Sequence, residues 1–377
     1  MHSKKVVIFR ASPAEEKRVA ITPEVAKKLN NMGWSVWVQS GAGAEAGFPD
    51  QAYVDAHANV SHDVKILAQD AQLALCLAPP TPEHASFLPK TCALLGLLGS
   101  DMAPAYIRDH PAYTLERLPR TTGAQTMDVL SSQSSLYGYW AVLDGARRLS
   151  RIMPMMTTPS GRLNPAQVLV LGAGVAGLQA IATAKRLGAV VSAFDVRESA
   201  RGGVESLDCK FYRVSEKDKT NGFSDAKAGE TEGGYALRVG SEMLLAQQAL
   251  IATLLPKMNL IIATAMIPGQ EPPILITQGM VQKMHLGSVI VDLTTDRLGA
   301  PLGSSGNCAI SRRGEDQKLY GVTIVGTSYG LSHLSHDAST MYANNLLAFL
   351  DYAWDDQIGR LNDALELVRP LKLQLEA

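Results

Sequence analysis

Short runs of consecutive apolar residues recur along the chain, each followed by a stretch with helical spacing. The first is 6–9 (VVIF). A polar stretch follows at 12–18, then a helix that Thr22 can cap, with Pro23 at its first position and Gly33 as its stop. Further buried-strand signals stand at 34–38, 73–77 and 92–98, with helix-compatible segments at 50–58 and 63–68. Strands alternating with helices predict a mostly parallel sheet, and hence one α/β domain in about the first 120 residues. Residues 119–127 lack apolar periodicity and read as a loop. A helix from Ser134 then carries Leu136, Trp140, Leu143 and Arg147 on one face. Pro154, Pro159, Gly161 and Pro165 mark 153–165 as a loop.

The alternation resumes at residues 168–195, VLVLGAGVAGLQAIATAKRLGAVVSAFD. Four apolar residues form a strand; Gly172, Gly174 and Gly177 follow as G-x-G-x-x-G; a helix runs to Leu187; Gly188 stops it; a second strand ends at Asp195. These are the parts of a dinucleotide-binding βαβ unit. Gly172 allows the tight turn, Gly174 lets the backbone approach a pyrophosphate, and Gly177 lets helix and strand pack closely. The helix N-terminus offers unpaired N–H groups to the phosphates. Asp195 stands where it would accept hydrogen bonds from a ribose 2′-OH and repel a 2′-phosphate, which favours NAD(H). Arg197, two residues on, is a cation that would tolerate a 2′-phosphate. The glycines at 41, 43 and 47 have the wrong spacing for such a site.

Beyond this unit the pattern predicts a helix at 197–207 and a strand at 210–214. A polar, glycine-containing stretch follows at 215–234, of a length that is usually functional or mobile. Then come helices at 241–255 and 277–284, strands at 260–264, 288–293 and 322–326, and loops at 265–273 and 296–306. A polar crossing segment at 328–339 leads to a helix at 340–354, expected to return to the first domain. A short amphipathic helix is expected at 361–368. The division expected is 1–133 plus 328–377 for an N-terminal domain and 134–327 for the NAD(H)-binding domain: two Rossmann-like, doubly wound parallel-sheet domains with a cleft between them.

Composition changes this picture little. The chain has 377 residues, 46% hydrophobic and 19% charged, with a net charge of −1. That is ordinary for a globular protein and gives no electrostatic reason to expect a nucleic-acid partner. Cys76, Cys92, Cys209 and Cys308 are far apart and form no zinc spacing, so free thiols and no metal are expected. No window is apolar enough for a membrane span, and the N-terminus has no secretory h-region.

Longer motifs are more specific than the glycine fingerprint. KRVAITPEVAKKL, RTTGAQTMDVLSSQS, PMMTTPSGRLNPAQVLVLGAGVAGLQAIATAKRLGA, GGYA, ATAMIPG, GSVIVDL and YANNLLAFL span nearly the whole chain. Together they resemble the family of alanine dehydrogenases and NAD(H)-binding components of proton-translocating NAD(P) transhydrogenase. The resemblance implies that Arg120, Gln125, Asp128 and Ser131 hold the nicotinamide. Arg120, Asp128 and Ser131 would complement the carboxamide, and Gln125 would reach a second nucleotide. It places Gly172, Gly174, Val175, Ala176, Gly177, Asp195, Val196, Arg197, Gln247 and Met266 around the cofactor, and Gly234 and Tyr235 at the tip of a mobile loop. The reaction it implies is direct hydride transfer from NADH to NADP⁺. With one fingerprint in the chain, NADP(H) would sit on a partner subunit attached to a proton-moving membrane subunit. A homodimer is implied, cytoplasmic and peripheral at the inner membrane through its partners, like the separately encoded form of the component.

Two alternatives remain open. An alanine dehydrogenase-like enzyme would use a cation for the substrate carboxylate and a His for proton transfer. Arg18 and Asp296 match that family's arginine and acid, but Cys76 and Leu97 replace its lysine and histidine. The other alternative is a non-catalytic NAD-binding paralogue. The segments 296–306 and 328–339, the latter with His333 and His336, depart from the family pattern.

Overall fold

The computed structural model describes residues 4–100, 103–214, 240–267, 270–296, 300 and 302–373. Two compact units divide the chain: Met1–Gln133 with Leu331–Ala377, and Ser134–Gly330.

The first unit is built on a parallel six-stranded sheet. Its strands are β1 (Lys4–Ile8), β2 (Trp34–Gln39), β3 (Asn59–Ser61), β4 (Leu73–Cys76), β5 (Ala93–Gly96) and β6 (Ala112–Thr114), ordered β3-β2-β1-β4-β5-β6. That order reverses between β1 and β4, as in a doubly wound sheet. Consecutive residues of a strand enter different cores: Val6 and Ile8 on one face, Val7 on the other; Leu73 and Leu75 on one, Ala74 and Cys76 on the other. Both faces are covered, which explains why these strands read as continuous apolar runs rather than alternating ones. Thr22 caps the helix Pro23–Asn31 as its sequence predicts, accepting from the Val25 N–H. The helix Ser335–Ala353 buries Tyr342, Leu346, Phe349 and Leu350 in the same core as Val6 and Ile8.

In the second unit a hairpin, β7 (Met156–Thr158) and β8 (Gly161–Leu163), precedes the main sheet. That sheet comprises β9 (Gln167–Leu171), β10 (Val190–Phe194), β11 (Lys210–Tyr212), β12 (Leu260–Ala263), β13 (Val289–Asp292), β14 (Asp316–Leu319) and β15 (Val322–Gly326), ordered β11-β10-β9-β12-β13-β15-β14. All pairings are parallel except that of the edge strand β14. Val168 and Val170 face one core, Leu169 and Leu171 the other, and β12 and β13 repeat the alternation. The helix Val129–Arg148 carries the chain from one unit into the next.

The fold is thus α/β with two Rossmann-like parallel sheets, and several local expectations need correction. The loop expected at 153–165 contains the β7–β8 hairpin, whose residues are exposed and whose strands are too short for periodicity to register. No helix forms at 361–368. Leu361 closes a short antiparallel pair, Trp354–Asp355 with Arg360–Leu361, and the turns after it bury Leu367 and Val368 in the first unit's core. The helix expected from Ser134 starts earlier because Asp128 caps it: the Ser131 N–H donates to its carboxylate at 2.9 Å. The helix expected from residue 340 likewise starts at Ser335.

Candidate functional site

The fingerprint glycines occupy the C-terminal edge of the second sheet. Register puts Leu171 beside Phe194 on one side and Ala263 on the other. The next residue of each strand, Gly172, Asp195 and Thr264, therefore meets the others at that edge. Gly172 has φ +92°, a conformation side chains rarely adopt. A Cβ there would also lie 2.8 Å from the Ala265 nitrogen. Gly174 is the N-cap of the helix Val175–Arg186 and has no side chain to satisfy that helix's first N–H groups. A Cβ on Gly177 would run into the Gly172 carbonyl oxygen, so glycine is what lets helix and turn touch. Val175 and Ala176, half-buried, form the first turn.

Asp195 is 4% exposed and accepts four hydrogen bonds among the described residues. One comes from the Ala173 N–H at 2.7 Å; the others come from the Arg197 backbone N–H, Nε and Nη2 at 2.8, 3.0 and 2.8 Å. A carboxylate has about four acceptor positions, so the group is filled by the protein itself. Val196 is half-buried, and its carbonyl accepts from Arg213 Nε at 3.2 Å. Gln247, 1% exposed in the helix Ser241–Leu254, has an Nε2 with no hydrogen-bond partner among the described residues. Met266 is 44% exposed. Gly234 and Tyr235 lie outside the described residues.

In the first unit, the segment after Pro119 forms a 3-10 turn, Thr122–Met127, that pins Ala124 and Met127 in the core. Asn345 braces it, donating to the Thr126 carbonyl at 2.7 Å and accepting from Ser132 Oγ at 2.6 Å. Asp128 accepts from Ser131 Oγ at 2.6 Å, and Arg120 Nη2 donates to the same hydroxyl at 3.4 Å. Arg120, Ser131 and Asp128 are thus brought into one polar cluster. Gln125 is exposed on the same turn.

The residues that match the dehydrogenase set are engaged elsewhere. Arg18 forks onto Glu16, with Nε and Nη2 at 2.8 and 2.6 Å from its oxygens, and donates to Gln133 at 2.7 Å. Burial works to raise the Glu16 carboxyl, but Arg18 holds it below the usual carboxylate range. Burial pushes the Cys76 thiol up to about 12, so it stays neutral. Asp296 accepts from Tyr137 at 2.6 Å, Arg313 at 3.2 Å and the Gly330 N–H at 3.2 Å. Burial, followed by the Asp296 charge, raises the Tyr137 hydroxyl well above its ordinary value. His336 stacks on Phe48 and pairs with the Ala46 carbonyl at 3.0 Å. Sequence reasoning missed Asn307, whose contacts converge from residue 265, residues 273–276 and residue 294 and carry no local motif.

Among the described residues, no helix is long and apolar enough to cross a membrane. Two family models match the chain: "Alanine dehydrogenase/PNT, N-terminal domain" over residues 7–137, and "Alanine dehydrogenase/PNT, C-terminal domain" over residues 141–372. The first of the separately named pieces of NAD(P) transhydrogenase subunit alpha from Rhodospirillum rubrum is 42% identical over 356 residues, 92% of this chain and 89% of that one. The protein of the same name from Rickettsia prowazekii is 36% identical, over 97% and 94%. The crystal structure of transhydrogenase from Sinorhizobium meliloti superposes with a TM-score of 0.82 at 36% identity, covering 98% of each chain.

Proposed function

The chain belongs to the alanine dehydrogenase/PNT family, and on that premise we propose that it is the NAD(H)-binding component of a proton-translocating NAD(P) transhydrogenase. It would pass a hydride from NADH to NADP⁺ held on a partner subunit, with proton movement confined to a membrane subunit. It would act as a homodimer, in the cytoplasm and peripheral at the inner membrane through those partners.

The nicotinamide supplies the chemistry: a hydride leaves the reduced ring with its electron pair and adds to the oxidised one. No proton moves at the rings, so no general acid or base is required. The protein's role is to bring the reacting atoms to roughly 3–3.5 Å. Arg120, Ser131 and Asp128 would hold the carboxamide, and Gln125 would reach the second nucleotide. The turn at Gly172, Gly174 and Gly177, with Val175 and Ala176, would take the diphosphate at the helix N-terminus. Asp195 would bind a ribose hydroxyl by exchanging it for one of the Arg197 bonds. Because Asp195 neutralises Arg197, the cation offers little to a 2′-phosphate, which supports NAD(H) as the ligand. Val196, Gln247, Met266, Gly234 and Tyr235 would complete the nucleotide's surroundings.

The observation that carries this reading over amino- or keto-acid chemistry is the state of Arg18 and Asp296. Each is committed to partners within its own unit, Arg18 to Glu16 and Gln133, Asp296 to Tyr137 and Arg313. A small acid would have to displace those bonds, and Cys76, whose thiol burial keeps neutral, and Leu97 stand where that chemistry would need its lysine and histidine.

The test is a reconstitution. The protein is mixed with an NADP(H)-binding transhydrogenase component and NADH, and reduction of NADP⁺ is followed. Turnover is expected. Oxidation of NADH by pyruvate and ammonia alone would replace this reading with a dehydrogenase, and tight NADH binding with neither activity would leave a non-catalytic nucleotide-binding protein.

A further inference from the structure

Asn307 is fully buried and directly follows the 296–306 segment. Its side chain forms a two-way pair with one residue: Oδ1 accepts from the Ala265 N–H at 2.9 Å and Nδ2 donates to the Ala265 carbonyl at 2.8 Å. The same Nδ2 donates to the Pro273 carbonyl at 2.9 Å. One amide therefore ties together both ends of the 265–273 loop. The Asn307 backbone adds to the knot, its carbonyl accepting from the Leu275 and Ile276 N–H groups at 2.8 and 3.0 Å.

Behind Asn307 stands Asp292, at the end of β13 and wholly buried. Its carboxylate accepts from Thr294 Oγ1 at 2.6 Å, the Cys308 N–H at 2.8 Å and Ser311 Oγ at 2.6 Å. Thr294 Oγ1 in turn accepts from the Asn307 N–H at 2.8 Å. A Cβ on Gly306 would strike the Asp292 carboxylate, so the chain passes directly over it. In front, Ala265 abuts the Gly172 turn, and Thr264 Oγ1 donates to the Gly172 carbonyl at 2.9 Å.

We infer that Asn307, seated by Asp292 and Thr294, is a positioning residue for the nicotinamide-side half of the bound dinucleotide. This rests on the proposal that the diphosphate lies at the Gly172–Gly177 turn. The direction follows from the sheet order β10-β9-β12. With the diphosphate over the end of β9, the adenosine half runs toward Asp195 at the end of β10. The other half runs toward 265–267 at the end of β12. The hydrogen bonds of Asn307 to that second side go to its backbone, among the described residues. It fixes where residues 265–267, including exposed Met266, present themselves, without itself reaching the nucleotide. A displacement of even about 1 Å in such a support is enough to cost binding.

The experiment compares dissociation constants of NADH and adenosine monophosphate for the wild-type chain, Asn307→Ala and Asn307→Asp, with melting temperatures alongside. Asn307→Ala is expected to weaken NADH about tenfold and to leave adenosine monophosphate within a factor of about two. Asn307→Asp keeps the acceptor for the Ala265 N–H but loses both donated bonds; it should move NADH in the same direction and decides the matter if Asn307→Ala does not fold. Equal weakening of both ligands, or unchanged NADH affinity in a folded variant, would overturn the inference. A wild-type chain that binds no NADH would instead sink the functional proposal beneath it.

Discussion

Asp195 accepts the Ala173 N–H at 2.7 Å, so the acid that ends β10 holds the glycine turn that ends its neighbour β9. The contact gives Asp195 a task that precedes any ligand. It shapes the turn, and it fixes Arg197 beside it through three further bonds.

Replacing Asp195 therefore separates two roles. Asp195→Ala leaves a buried N–H without its acceptor, at a cost of about 1–3 kcal/mol, and NADH affinity measured by fluorescence titration should fall at least about tenfold. Asp195→Asn retains an oxygen for Ala173 and should lose less. Equal NADH affinity in wild type and Asp195→Ala would remove Asp195 from the site.

Arg120 is exposed, and its bond to Ser131 is long at 3.4 Å. Arg120→Ala should change the melting temperature by no more than about 2 °C, because exposed substitutions rarely exceed ~0.5 kcal/mol. Hydride transfer in the reconstituted assay should drop about 100-fold if the ring loses its placement. Parallel losses of stability and activity would mark a structural residue instead.

The Glu16–Arg18 pair predicts a pH signature. Glu16 lies below its ordinary value in the fold, so its stabilisation is present above the unfolded-state pKa and is lost as pH falls through the depressed one. Arg18→Met would strand a carboxylate that is 7% exposed, costing about 3–5 kcal/mol near neutral pH. Burial, the largest influence on Glu16, would then be opposed, among the described residues, only by the residue-18 backbone N–H and the Ser332 hydroxyl, and should raise its pKa. Stability attributable to this group should fall as pH rises, the reverse of wild type. Thermal melts across pH 4–7 (about three pH units, spanning ordinary carboxylate values) would show whether the slope changes sign.

Two helix glycines should respond in opposite ways. Gly177→Ala drives a methyl group against the Gly172 carbonyl, and the helix must shift at a cost of about 1–3 kcal/mol, with loss of NADH binding. Gly202, in the helix Ala200–Ser206, has open space where a Cβ would go, so Gly202→Ala should add up to about 1 kcal/mol. Melting temperatures and NADH titrations of the two variants test both directions.

Much of this architecture is legible along the chain because its causes are local. Strands covered on both faces must be apolar throughout, so β1, β4, β5, β9, β12 and β13 stand out as short runs. Thr22 and Pro23 mark a helix start by their own chemistry. The elements without a sequence signal are at edges or in turns. β3 and β6 have three residues each, and β14 is exposed and polar along an edge. The apolar spacing at 361–368 suits a helix, yet Leu361, Leu367 and Val368 are buried by turns instead, since the first unit's core supplies the packing without helical backbone.

Local backbone demands, then, are written into the residue order. Gly172 must take a positive φ, Gly177 must lack a Cβ, and a strand, turn, helix and acid in succession leave few other folds for 168–195. What no reading of neighbours reveals is how groups far apart in the chain use up one another's hydrogen bonds. Arg18 meets Gln133, Asp296 meets Tyr137, and Asn307 joins 265 to 273 only because the sheets bring those segments together. Whether a charged or polar side chain is available to a ligand depends on those long-range pairings, and they exist only once the chain has closed on itself.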